Sequence, residues 1–166
     1  MLRRLAAACA LALPLLVGPV PAVADLAAAT EVVWVAPLAP VQVTRPFDAP
    51  ASLYGPGHRG VDLAGAPGQV VVAAGAGIVV FAGMVAGRPV VSIAHAGGLR
   101  TTYEPVIPAV RAGVPVTRGS PIGTLAAGHP GCPIAACLHW GARDGDRYLD
   151  PLLLLQPPRV RLLPWP

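Results

Sequence analysis

Short apolar stretches rich in β-branched residues alternate with glycine and proline along most of the chain. They lie at residues 41–44, 69–73, 77–81, 90–94, 99–103, 114–116, 122–125 and 138–142. A spacing of about 8 to 12 residues, with Gly or Pro at nearly every break, is typical of an all-β sandwich or barrel. No segment between residues 41 and 139 has the periodicity of an amphipathic helix. We therefore expect an all-β domain with an antiparallel β-sheet core or sandwich.

The first 24 residues have the pattern of a secretory signal peptide. Arg3 and Arg4 precede an almost wholly apolar stretch at residues 5–17, and residues 22–24 (Ala-Val-Ala) form a small-x-small cleavage site. A membrane anchor is the alternative, but the stretch is shorter than the roughly 20 apolar residues of a spanning helix, and prolines interrupt it. We expect an exported protein with no stable membrane span once this segment is removed.

The remaining chain divides by composition into three parts. Residues 25–40 are rich in Ala and Pro and are predicted to be a leader, residues 41–155 a single β-core domain, and residues 156–166 a Pro-rich C-terminal tail. Within the domain, residues 47–57 have loop composition, and the apolar run 150–155 is predicted to close the domain as a helical turn.

Charge and lysine content exclude two classes of function. The formal net charge is +4, and it falls to +2 without Arg3 and Arg4. No basic cluster with interleaved aromatic residues is present, so we expect no nucleic-acid partner. Residues 68–83 and 114–123 resemble the barrel-sandwich of biotinyl and lipoyl carrier domains, but the sequence contains no lysine for the attachment, which excludes the carrier role.

The candidate chemistry is centred on His58, Asp62 and His139. Two imidazole nitrogens and one carboxylate oxygen are zinc ligands, and three such ligands leave the fourth position open, as in a catalytic zinc site. In a fully extended strand His58 and Asp62 would lie about 13 Å apart, so we expect a bend between them, supplied by Gly60 with Gly57 just before the motif. On spacing alone, a surface His–Asp pair is the alternative.

Two cysteines lie just before His139. The third cysteine of the chain lies in the predicted signal peptide, so an exported protein keeps Cys132 and Cys137 as a pair. We predict a disulfide that rigidifies the approach to His139, with two free thiols as the alternative. Strand alternation places Leu138 and Trp140 in the core, on the face opposite His139.

The two other histidines are weaker candidates. His95 lies at a strand end before Ala96 and two glycines, and we predict a structural or turn role. His129 is followed by Pro130 in a loop, and its closeness in sequence to His139 keeps it as a candidate catalytic residue.

Taken together, these segments resemble the lysostaphin-type zinc endopeptidases, which cut the peptides of the bacterial cell wall. The resemblance runs from about residue 44 to 155 and is carried by residues 58–64, 66–68, 71–81, 95–103, 114–123, 138–141 and 150–151. It implies a β-sheet core with a groove, a zinc cofactor held by His58, Asp62 and His139, and peptidoglycan peptides as partners. The site of action would be the cell wall.

The sequence departs from this family at two helper histidines, which orient the water and stabilise the oxyanion. Pro105 and Cys137 stand in their places. Glu104 and His129 are the candidate substitutes, although alternation would point Glu104 opposite to Pro105. A reduced Cys137 could instead bind zinc and close the site. Two functions are therefore open: a wall peptidase with an altered catalytic set, or a non-catalytic relative that binds wall peptides or activates a partner hydrolase.

Overall fold

The structure is a computed structural model that describes residues 34–52 and 54–156. These residues contain eleven strands and two 3₁₀ turns, and no α-helix. The strands are β1 (Val43–Arg45), β2 (Gly60–Gly65), β3 (Val70–Val72), β4 (Gly77–Val85), β5 (Arg88–Ala94), β6 (Leu99–Glu104), β7 (Val106–Pro108), β8 (Pro115–Val116), β9 (Pro121–Leu125), β10 (Ala136–Asp144) and β11 (Arg147–Leu149). The 3₁₀ turns are Ala96–Gly98 and Pro151–Leu155, the second where a closing helical turn is predicted.

The strands form two antiparallel sheets. The larger has the order β1-β2-β10-β6-β5-β4-β8, with β11 paired to β10, and the smaller has the order β3-β9-β7. Every pairing is antiparallel, so the predicted all-β antiparallel fold is confirmed. No helix among the described residues is both long and apolar enough to cross a membrane. The predicted signal peptide and the tail beyond Gln156 lie outside the described residues.

One hydrophobic core is shared by the two sheets. Val71 of β3 and Ile122 of β9 are buried in the same cluster as Leu63 of β2 and Leu138 and Trp140 of β10. Because side chains alternate along β10, burial of Leu138 and Trp140 turns His139 to the outer face of the larger sheet. This placement agrees with the prediction from alternation.

The sequence does not predict strand β2, which carries half of the candidate site. Its residues, Gly-Val-Asp-Leu-Ala-Gly, have low β propensity apart from Val61 and Leu63. The strand is stabilised instead by hydrogen bonding to β1 on one side and β10 on the other, and by full burial of both apolar side chains. The short strands β7 and β11 are missed for a related reason, because each has only three residues.

Part of the predicted leader belongs to the folded domain. Leu38 is buried in the core and Trp34 packs against it. The backbone N–H of Val35 donates to Ala74 O, and that of Val72 donates to Pro37 O. Composition does not reveal these contacts, because residues 34–40 form no strand and are held by residues distant in sequence.

A buried polar network supports the start of β6. His95 Nδ1–H donates to Ala76 O at 2.8 Å, and its Nε2 lies 2.7 Å from Thr101 Oγ1. That hydroxyl is 2.9 Å from Tyr103 Oη, to which the N–H of Ala74 also donates. Burial raises the pKa of Tyr103 to about 12, so its hydroxyl stays protonated. His95 is therefore structural, as predicted.

The stability of the protein should fall in mild acid because of His95. Burial lowers the pKa of His95, although its hydrogen bond to Ala76 O opposes this. Below pH ~7 this histidine binds a proton more readily in the unfolded state than in the folded one. The free energy of unfolding therefore decreases as the pH falls, by at most about 1.4 kcal/mol per pH unit for one group. Urea unfolding of chelator-treated protein at pH 7.5 and 5.5 measures this. His95→Gln should show the smaller decrease, and equal decreases in both proteins would contradict the assignment.

Candidate metal centre

Strand register places three polar side chains in one row on the outer face of the larger sheet. His139 on β10 is directly opposite Asp62 on β2 and, on its other side, directly opposite Glu104 on β6. Side chains directly opposite each other in an antiparallel pair project from the same face. The two carboxylates therefore flank the imidazole.

His58 joins this row from the loop before β2. A single backbone bridge to Asp48 holds it, and Gly57 just before it has φ 154°. A Cβ at Gly57 would lie 2.7 Å from Asp48 O, so a side chain does not fit there. The bend between His58 and Asp62 lies at Arg59, whereas Gly60, the residue expected to supply it, lies within β2.

The nitrogen and oxygen atoms of the three residues converge. His58 Nε2 lies 3.0 Å from both Asp62 Oδ1 and His139 Nδ1, and His139 Nδ1 lies 2.9 Å from Asp62 Oδ1. A triangle of this size has a point about 2 Å from each corner, which is the length of a Zn–N or Zn–O bond. His58 and Asp62 are buried, and His139 is half-buried, so the site is open on one side.

The hydrogen bonds around the triangle favour an ion at its centre. His58 Nδ1–H donates to Pro46 O at 2.7 Å, which leaves the lone pair of Nε2 facing Asp62 when the ring is neutral. Among the described residues, the buried Oδ2 of Asp62 has no hydrogen-bond partner. An uncompensated buried carboxylate oxygen is costly, and a cation would compensate it. The residues therefore fit a zinc ion with two nitrogen ligands and one oxygen ligand.

Charge around Asp62 keeps its carboxylate ionised. Burial by itself raises the pKa of Asp62, but hydrogen bonds to His129 and His139 and the charge of His58 outweigh it. The net effect holds the pKa of Asp62 well below its usual value. Asp62 is thus ready to act as a ligand at any pH near neutrality.

His129 reaches the site from the loop between β9 and β10. Its Nε2 lies 3.3 Å from Asp62 Oδ1, and its ring is stacked beside His139 with centroids 5.8 Å apart. A disulfide joins Cys132 to Cys137 at the start of β10, so this loop is tied to the strand that carries His139. Cys137 is therefore neither a thiolate ligand nor a base.

Glu104 lies on the face of the site, at the end of β6. Its carboxylate forms an ion pair with the Nε of Arg88. Sequence alternation would place it opposite Pro105, but β6 ends at Glu104 and the chain turns there, so strand alternation does not extend to Pro105. Arg88 was not identified from the sequence, because its pairing with Glu104 depends on the register of β5 and β6.

An open groove runs along this face. One cavity of about 360 Å³ is lined by His58, His139, His129 and Glu104. A second of about 380 Å³ continues from His139 and Glu104 toward Arg100 and Arg143. The candidate ion site thus lies in the floor of a groove that can take an extended ligand.

Comparison with known proteins agrees with this arrangement. The sequence profile of peptidase family M23 matches residues 56–151, which include His58, Asp62 and His139. The chain belongs to peptidase family M23. The resemblance to lysostaphin-type peptidases is confirmed by this match and by the solved structures below.

Similar proteins are found among both curated sequences and solved structures. Uncharacterized proteins of Mycobacterium tuberculosis and Mycobacterium bovis are 61% identical over 129 residues, covering 75% of this chain and 52% of theirs. The chain thus spans about half the length of these relatives. Helicobacter pylori Csd3 has a TM-score of 0.63 at 25% identity, covering 80% of this chain and 37% of that one.

Two further solved structures share the fold. A zinc-containing peptidase from Vibrio cholerae has a TM-score of 0.61 at 23% identity, covering 77% of this chain and 40% of that one. The catalytic domain of lysostaphin from Staphylococcus simulans has a TM-score of 0.57 at 22% identity, covering 69% of this chain and 92% of that one.

Replacing Gly60 by alanine should disrupt the site. A Cβ there would lie 2.4 Å from Trp140 O and 2.8 Å from His139 Nε2, so β2 and β10 must separate. We expect Gly60→Ala to lose about 1–3 kcal/mol of unfolding free energy and to bind zinc more weakly. Thermal unfolding and zinc titration measure both. Gly83→Ala is the control, because its Cβ meets only the end of the Phe81 ring, at 3.3 Å. Equal behaviour of the two variants would contradict the packing of His139 against β2.

Proposed function

We propose that this chain is the catalytic domain of a secreted zinc metallopeptidase that hydrolyses peptide cross-links of bacterial peptidoglycan. The observation that carries the proposal is the triangle of His58, Asp62 and His139, with an uncompensated Asp62 oxygen, in the floor of an open groove. Family membership and the fold shared with lysostaphin support the substrate class.

The candidate ligands, the residue that orients one of them and the groove would have separate roles in hydrolysis. A zinc ion held here would supply a Lewis acid to polarise the scissile carbonyl and to lower the pKa of a water molecule. His58, Asp62 and His139 would hold the ion, and Pro46 O orients His58 through its Nδ1–H. The groove positions the peptide across this point.

His129 is the residue best placed to replace the missing helper histidines. Its imidazole lies beside His139, next to the carboxylate of Asp62, and lines the groove. An imidazole there can hold a water molecule, transfer its proton, or donate a hydrogen bond to the developing oxyanion. Glu104 is the weaker candidate, because the guanidinium of Arg88 already occupies its carboxylate.

A second function has specific support. Pro105 cannot donate a hydrogen bond, and Cys137 is in a disulfide, so neither can act as the corresponding histidine does in the family. A protein that keeps the metal ligands without efficient hydrolysis would bind wall peptides or activate a partner hydrolase. The site and groove would be used in either case.

Digestion of purified peptidoglycan separates the two functions. The peptidase account predicts release of new amino termini, lost on treatment with a chelator and restored by zinc, and absent in His58→Ala. Arg118→Gln, an exposed substitution outside the groove, should retain activity. No release by the zinc-loaded parent protein would favour the binding function, and release by His58→Ala would contradict the metal assignment.

The role of His129 is tested by His129→Gln. Loss of a general acid–base residue typically costs about 10²–10⁴ in rate, so kcat should fall by this range. Zinc stoichiometry should stay at one ion, because His129 lies outside the group of three converging ligands. Activity equal to the parent would exclude His129 as the helper.

A further inference from the structure

We propose that the end of the groove away from His58 binds a carboxylate of the peptide ligand through Arg100 and Arg143. The proposal rests on the proposed function, because it names a feature of the ligand that the same groove would accept. It concerns residues that take no part in holding the metal.

Sheet register brings the two arginines side by side. Arg143 on β10 is directly opposite Arg100 on β6, and both line the second cavity of the groove. Arg143 lies four residues beyond His139 on the same strand, so the two project from the same face about 13 Å apart. Arg59 lines the same cavity and its guanidinium lies 5.3 Å from the centre of the Tyr148 ring.

No ion pair among the described residues compensates the charge of these two arginines. Like charges directly opposite each other on neighbouring strands are destabilising. Within residues 34–52 and 54–156, neither Arg100 nor Arg143 has a hydrogen-bond or ion-pair partner for its guanidinium group, although both side chains are half-buried. A pair of half-buried guanidinium groups without an acid is suited to an anionic group, which each can bind through two parallel N–H donors.

The floor between the arginines and the metal ligands is small and uncharged. Gly60, Gly141, Thr102 and Ser92 form the next row across the four strands, and Thr102 and Ser92 hydrogen-bond to each other at 3.1 Å. Such a floor accepts an extended backbone without offering it a charge. Arg59 lines the cavity beside this row, and Arg100 and Arg143 lie beyond it as a directly opposed pair.

The neutral row and the two arginines fit different parts of a peptide. The row of Gly60, Gly141, Thr102 and Ser92 can lie along an uncharged backbone, and Arg100 and Arg143 can bind one acidic group beyond it. The chemistry thus predicts a wall peptide with a free carboxylate several residues from the scissile bond.

Binding of a matched pair of ligands tests the proposal. The probes are a wall stem tetrapeptide with free carboxylates and the same peptide with those groups amidated, titrated calorimetrically into the full chain with zinc and after chelation. The parent should prefer the free acid about tenfold, the effect of roughly one charge-assisted hydrogen bond. Arg100→Gln and Arg143→Gln should lose this preference and bind the amide as the parent does. Arg118→Gln, which removes the same charge outside the groove, should keep it.

Three results would overturn the assignment. These are equal affinity of the parent for acid and amide, unchanged preference in both arginine variants, and competition by millimolar inorganic phosphate that matches the free acid in strength.

The melting temperature of ligand-free Arg143→Gln should not fall, because the substitution relieves repulsion between the two guanidinium groups. A fall would indicate a structural role for Arg143 and would contradict the assignment. A protein that prefers the free acid but releases no amino termini would contradict the peptidase function and support this subsite. A protein that releases amino termini but shows no preference would support the peptidase function and contradict this subsite.

Discussion

The pairing of β10 with β2 and β6 is the constraint on which the site depends. Burial of Leu138 and Trp140 decides which face of β10 turns outward. Once that face is set, antiparallel register decides which residues stand beside His139, namely Asp62 and Glu104. A shift of one residue in either pairing would turn those side chains into the core. The packing of the core and the geometry of the candidate metal centre therefore depend on the same strand pairings.

The parts of the site outside these strands are held by local devices. Gly57 lets the chain turn so that His58 meets β2, and Pro46 O fixes the orientation of its ring. The Cys132–Cys137 disulfide ties the loop of His129 to β10. Together they place a third imidazole, that of His129, beside the three-ligand site of His58, Asp62 and His139. The position of His129 is the reason for proposing a peptidase despite Pro105 and the disulfide-bonded Cys137.

Much of the fold follows from local sequence, and much of the site follows only from long-range pairing. Alternation around His139 was sufficient to place Leu138 and Trp140 in the core. Strand β2 was not predicted, because its glycines and Asp62 form a strand only between two partners. His129 could be named but not placed, since its position depends on a loop closed by a disulfide. The orientation of Glu104 toward the site, its ion pair with Arg88 and the opposition of Arg100 to Arg143 all depend on register, which a single sequence does not show.

The resemblance to a known family contributed what spacing could not. His58 and Asp62 alone are compatible with a surface pair, and the order of the surrounding segments made a zinc site the better hypothesis. The structure adds the converging nitrogen and oxygen atoms and the uncompensated Asp62 oxygen. Binding of the ion itself remains a prediction.

Anomalous diffraction at the zinc edge, from crystals of the zinc-loaded protein, tests the central claim most directly. The account predicts one strong peak about 2 Å from His58 Nε2, Asp62 Oδ1 and His139 Nδ1, with no protein atom as a fourth ligand. The absence of a peak at this point would contradict the metal centre. A peak that His129 also ligates would show a closed, structural zinc and contradict the catalytic role proposed for the site.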